Sequence, residues 1–148
     1  MQWTLAHIGN RLPTKDPFEV LTQDWLRRIG AFAEAESVAF RSIDDLFSVV
    51  SGAKGRKPEI VLLDSRGKAM SSEKFAEWLG VRRDEGVRQI VFAIGPASGW
   101  DEETRARANL LLSLGPMTMA HSLARAVLAE QLYRAFTILS GHPYHTGH

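Results

Sequence analysis

Two rhythms of apolar positions take turns along this chain. Residues 2–9 form a short, mainly apolar run that predicts a first strand. After a loop with two prolines at 12–17, residues 18–32 place Phe18, Leu21, Trp25, Leu26 and Ile29 three and four apart, the spacing of one helical face. Residues 36–41 predict a short strand and 43–53 a short helix, followed by a breaker-rich loop at 52–58. Residues 59–64 are almost continuously aliphatic, as strands covered on both faces are. A loop is expected at 65–70. Ser71 or Ser72 then caps a helix over 73–85, with Phe75, Trp78 and Leu79 on one face. Residues 88–95 repeat the buried-strand signal, and a loop at 96–100 leads to Asp101, the cap of a helix over 102–108. A short strand at 110–114 is broken by Gly115-Pro116. The last helix runs over 122–139, with Leu123, Val127, Leu128, Leu132, Phe136 and Leu139 along one stripe, and Gly141 stops it.

Strand and helix alternate, which predicts an α/β fold with a mostly parallel sheet. No repeat, low-complexity tract or linker interrupts the pattern, so 1–148 reads as a single domain, a length that suffices for one core. Composition narrows the chemistry. The chain has no cysteine, which removes disulfides, thiolate metal sites and thiol nucleophiles, and fits a reducing, cytoplasmic location. The N-terminus lacks a basic segment and a long apolar run, so it does not read as a signal peptide. No apolar run approaches the roughly 20 residues of a membrane helix, and no membrane partner is expected. A net charge of +1 argues against tight binding to free RNA but leaves room for docking on a preformed ribonucleoprotein.

Ligands of open α/β sheets bind beyond the carboxyl ends of the strands. Three such ends carry glycine-containing loops: 63–67, 95–99 and 114–119. None is a phosphate-binding P-loop or a G-x-G-x-x-G turn after the first strand. A cofactor held by backbone amides and carbonyls, such as an adenosine, suits them better than a nucleoside triphosphate; ordinary turns are the alternative. Met117 and Met119 suit contact with adenine or a methionine moiety, or simple core filling. Glu130 and Arg134 are one helical turn apart, as in a surface ion pair, and Arg134 also has the planar donor fork of a phosphate clamp. The tail His142-Pro143-Tyr144-His145 is chemically loaded for a terminus, which implies that it is placed in a site. His142, His145 and His148 lie three apart, but Pro143 and two glycines oppose the regular helix that would make them converge, so no metal is expected. His145 suits proton transfer or hydrogen bonding. His7 and His121 read as structural.

Four motifs in one order resemble the ribosomal RNA large-subunit methyltransferase H family. They are Leu63-Asp64-x-x-Gly67-Lys68, Phe92-x-Ile94-Gly95-x-x-x-Gly99, Leu114-x-x-Met117-Thr118-x-x-His121-x-x-x-Arg125, and Glu130-Gln131-Leu132-Tyr133-Arg134-Ala135-x-x-Ile138 closing in His142-Pro143-Tyr144-His145. The resemblance covers the whole chain and is strongest over 59–145. It implies a SPOUT-class fold with a C-terminal trefoil knot, a homodimer, and methyl transfer from S-adenosyl-L-methionine to N3 of a pseudouridine in large-subunit rRNA on the assembled ribosome. It places the cofactor against Leu63, Gly95, Pro96 and the loop Leu114, Gly115, Pro116, Met117, Thr118 and Met119. It places His145, Tyr144 and Arg134 toward the substrate, across the dimer, with His145 as base or proton relay and Arg134 holding the nucleotide. The chain departs from the family pattern twice. Pro96 stands where a second glycine is usual, which removes a backbone donor and fixes φ. Thr146-Gly147-His148 replaces a basic ending. A catalytically impaired cofactor- or RNA-binding module, and a metal-dependent hydrolase using the C-terminal histidines, are the competing readings.

Overall fold

Four of the five α-helices among the described residues begin where a side chain offers an oxygen to their free amide groups. In the computed structural model, which describes residues 1–147, helix α1 (Pro17–Ile29) starts after strand β1 (Gln2–Ile8). Asp16 caps it, accepting from the Phe18 and Glu19 amides at 2.9 and 3.2 Å, and Pro17 occupies the first turn, where its missing N–H costs nothing. Strand β2 (Glu34–Phe40) leads to α2 (Ile43–Ser51), which Ser42 caps. Strand β3 (Glu59–Ala69) leads to α3 (Ser72–Asp84), and Ser71 is its cap. The neighbouring Ser72 instead donates to Gln131 at 2.7 Å. Strand β4 (Gln89–Ile94) leads to α4 (Glu102–Ala106), capped by Asp101 as expected. Strand β5 (Leu110–Ser113) is followed by α5 (His121–Ser140), which has no side-chain cap and ends at Gly141 with φ 74°. A short 3₁₀ turn, His145–Gly147, follows.

The strands form one sheet in the order β2-β1-β4-β3-β5, and every ladder is parallel. Period-two alternation sends side chains to two layers. Trp3, Leu5, Val61, Ile90 and Phe92 face a cluster with Leu26 and Ile29 of α1, Phe75 and Leu79 of α3, and Leu128 and Leu132 of α5. Ala6, Ile60, Leu62, Val91 and Ala93 face Leu46, Phe47 and Val50 of α2, together with Trp100. Burial on both faces explains the near-continuous apolar strands.

Three expectations are corrected. Residues 65–70 are not simply a loop: β3 runs on to Ala69. Leu63 and Lys68 both register against Leu112 of β5, so residues 64–67 bulge out and the strand rejoins its partner. The polar, glycine-containing sequence of the bulge hides its return to the ladder. The helix begun at Asp101 stops at Ala106 rather than 108. Leu123, placed on the buried stripe of α5, is 38% exposed. Helix α5 packs on α1 and α3 at once, so small residues (Ala124, Ala126, Ala129, Ala135) share its buried surface with Leu128 and Leu132.

Candidate functional site

The carboxyl ends of β3, β4 and β5 open into a cavity of about 360 Å³. Its walls are the β3 bulge, the loop between β4 and α4, and the loop between β5 and α5. Of the cofactor-binding residues expected from sequence, Leu63, Gly95, Pro96, Leu114, Gly115, Met117, Thr118 and Met119 all line it, and Pro116 does not. Met117 is 82% exposed and stands at the mouth. The loop after β5 is closed by Ser113, whose Oγ accepts from the Gly115 amide and donates to its carbonyl, both at 3.1 Å.

Two glycines are fixed here by close approach. A Cβ on Gly95 would fall 2.7 Å from the Trp100 ring, and a Cβ on Gly67 would fall 2.6 Å from the carbonyl carbon and oxygen of Leu111. Both contacts are tighter than a side chain tolerates. Gly67 therefore lets the β3 bulge lie directly on the backbone of β5. Asp64 and Arg66, within the expected loop 63–67, also line the cavity, as do Trp100, His121 and Ala124, which sequence reasoning did not assign to it. His121 had read as structural. Only its place in the motif of the third loop could have pointed to the cavity. Arg125 of that motif turns the other way. It is 3% exposed, pairs with Glu19 of α1 and donates to Ser37 Oγ of β2 at 2.9 Å. Burial pushes the Glu19 carboxyl up, but hydrogen bonds from Arg125 and Gln23 outweigh it and hold it below the ordinary value.

The expected catalytic group gathers around the middle and later turns of α5 and the tail. Glu130 Oε1 accepts from Arg134 Nε at 3.1 Å, from Arg134 Nη2 at 2.6 Å and from the Tyr144 hydroxyl at 3.0 Å. Arg134 Nη1 lies 2.9 Å from His145 Nδ1, and His145 Nε2 lies 2.7 Å from Glu73 Oε1 of α3. A guanidinium can only donate, so Nδ1 is the acceptor and the proton sits on Nε2, directed at Glu73. Hydrogen bonding to His145 lowers the Glu73 pKa. Burial, and then the bond to Glu130, raises the Tyr144 phenol. The ring of Tyr144 packs edge-on against Tyr133 and Trp25, so the tail is held by apolar contacts as well. His142 Nδ1 accepts from the Tyr144 amide at 3.1 Å. His148 lies outside the described residues. Among the described residues no group of three or more His, Cys, Asp or Glu is placed to hold a metal ion, and no helix is long and apolar enough to cross a membrane.

The two sets stand at different places along α5. From Ala124 at the cavity to Arg134 is ten residues of helix, about 15 Å at 1.5 Å per residue.

A family model described as "Predicted SPOUT methyltransferase" matches residues 1–145. The ribosomal RNA large subunit methyltransferase H of Koribacter versatilis is 45% identical over 130 residues, which cover 88% of this chain and 89% of that protein. The chain belongs to the SPOUT methyltransferases, in the large-subunit methyltransferase H family. The Rhizobium meliloti relative of the same name is 59% identical over 86 residues, 58% of this chain and 54% of that protein. A solved structure, a probable methylase family protein from Haemophilus influenzae Rd KW20, superposes with a TM-score of 0.57 over 97% of this chain and 69% of the other. At 7% identity that likeness speaks for the fold alone.

Proposed function

We propose that this SPOUT chain is a cytoplasmic, S-adenosyl-L-methionine-dependent methyltransferase. It acts on N3 of a pseudouridine in large-subunit rRNA on the assembled ribosome, as a homodimer with a C-terminal trefoil knot. The observation that carries the proposal is the cavity, whose walls are the three loops that the family resemblance assigns to the cofactor. Its volume of about 360 Å³ suits a small cofactor. Its apolar patches (Leu63, Ile94, Leu112, Leu114) suit an adenine, and the backbone of the loops after β4 and β5 offers hydrogen-bonding groups for ribose and methionine. When bound, S-adenosyl-L-methionine supplies an electrophilic methyl group.

The roughly 15 Å of helix between Ala124 at the cavity and Arg134 favours a dimer, because a methyl group must meet its acceptor nitrogen at contact distance. Apolar side chains left exposed on α1 (Val20, Leu21) and around the start of α5 (Met117, Leu123) offer a surface for a second copy. The tail of one protomer would then complete the cavity of the other. Arg134 would turn its fork to the nucleotide, which frees His145 Nδ1 to take the imide proton. The Nε2 proton would be shared with Glu73, already 2.7 Å away. The positioned base contributes about 10²–10⁴-fold.

Labelled methyl transfer to ribosomes lacking the modification tests this, with His145→Ala alongside. The expected result is label on a pseudouridine of the large-subunit rRNA, reduced at least about tenfold in the variant. Equal label in both would keep the class and remove His145 from proton transfer. Cofactor binding without label would favour the impaired-module reading, to which the missing amide of Pro96 points.

A further inference from the structure

Two ties join opposite walls of the cavity. In the first, Trp100 Nε1, on the segment after β4, donates to the Leu63 carbonyl of β3 at 2.8 Å. In the second, Arg105 Nε of α4 lies 2.8 Å from Asp64 Oδ2, with the side chains only 15% and 8% exposed. The Asp64 carboxylate works twice: beside this ion pair, its Oδ1 accepts a hydrogen bond from the Arg66 amide at 2.8 Å, which closes the turn that opens the bulge. The Trp100 ring is itself wedged on Gly95, where no Cβ fits.

Part of the wall that these ties hold stands outside the strand ladder. Residues 64–67 leave the β5 ladder between Leu63 and Lys68, so backbone pairing does not fix their conformation. A wall free to move must be ordered when a ligand binds, and that ordering is lost from affinity. A wall tied beforehand avoids the loss. Core filling accounts for the Trp100 ring, which packs in the cluster with Phe47 and Val50. It does not account for the indole N–H meeting the one carbonyl at which the bulge begins.

We infer that Trp100 and the Asp64–Arg105 pair are positioning residues that hold the β3 bulge and the β4–α4 loop at the spacing the cofactor needs. The inference rests on the cavity being the S-adenosyl-L-methionine site. Trp100→Phe keeps a ring and removes the N–H; Asp64→Asn keeps the shape and removes the charge. Calorimetric titration with S-adenosylhomocysteine should give about tenfold weaker binding for each. In turnover, the KM for the cofactor should rise with kcat nearly unchanged, the mark of lost ground-state binding. Arg105→Lys should retain most of the affinity. Amide hydrogen exchange of residues 64–67 without ligand should speed up several-fold in Trp100→Phe and Asp64→Asn. Binding within twofold of wild type together with unchanged exchange would overturn the inference. If the wild-type protein itself bound no S-adenosylhomocysteine, the cofactor reading would fall. The exchange rates would still decide whether the ties hold the wall: faster exchange supports them and unchanged exchange overturns them. If Asp64→Asn does not fold, Trp100→Phe carries the same test.

Discussion

Glu130 collects three hydrogen bonds on one oxygen, from both ends of the polar cluster, and so sets where Arg134 and Tyr144 sit. The Tyr144 phenol is held above its ordinary 10.0, first by burial and then by that carboxylate. The neutral phenol is therefore the form that fits the fold. Its contribution to docking the tail is complete below pH 10 and is lost as pH rises through the raised value. Glu73 has the opposite sign. Its carboxyl is held below 4.5 by His145, so its contribution is present above that value and is lost as pH falls through the lowered one. Glu130→Gln removes the charge but not the burial, so the Tyr144 titration, followed by phenolate absorbance, should move part-way back toward 10.0. Methyl transfer should fall about ten- to a hundredfold as Arg134 and Tyr144 lose their anchor. An unchanged titration curve would show that Glu130 does not hold the phenol. This cluster was half legible in the sequence. The spacing of Glu130 and Arg134 gave the ion pair, and the loaded tail gave Tyr144 and His145. Glu73 escaped because its partner lies 72 positions away and only the packing of α3 beside the tail brings them together.

The bulge of β3 is the element on which the site depends, and local pattern misread it. An aliphatic run followed by Ser-Arg-Gly-Lys looks like a strand ending in a loop, because periodicity records the side chains and not the partner strand. What continues the strand is a second pairing with β5, with Leu63 and Lys68 sharing Leu112. The strands themselves were legible for the same reason: burial on both faces of a parallel sheet leaves long apolar runs that few other structures produce. Two glycine substitutions separate close backbone approach from ordinary packing. Gly67→Ala puts a Cβ 2.6 Å from backbone atoms of Leu111, which no rotamer change relieves. It should cost at least about 3 kcal/mol or prevent folding. Gly80→Ala on α3 meets only the end of the Leu139 side chain, at 2.9 Å, which can turn aside. It should cost under about 1.5 kcal/mol. Urea unfolding of the two variants gives the comparison directly. Equal losses would mean that the bulge can move off β5 and that its contact there is not fixed.

At the scale of the whole molecule, the proposed function requires a cavity and a cluster at two places along one helix to take part in one reaction. Rotation of side chains cannot close about 15 Å, and α5 is packed on both α1 and α3, so bending the helix would break the main core. In the proposed dimer, a second copy related by a two-fold axis would bring tail and cavity together without deforming either chain, and any contact made once would be made twice. That geometry has a consequence that a site within one chain lacks. Ala97→Trp should fill the cavity, since Ala97 lines it, and abolish cofactor binding; His145→Ala should spare binding and remove the relay. Each pure protein should be nearly inactive. In a mixed dimer, one site carries both defects and the other carries neither. Equimolar co-refolding makes half of the dimers mixed, each with one whole site of two, so about a quarter of wild-type activity should return. A mixture that exchanges subunits, as shown by co-purification through a tag on one variant, and yet stays inactive would place the whole reaction within one chain and remove the reason for a shared site.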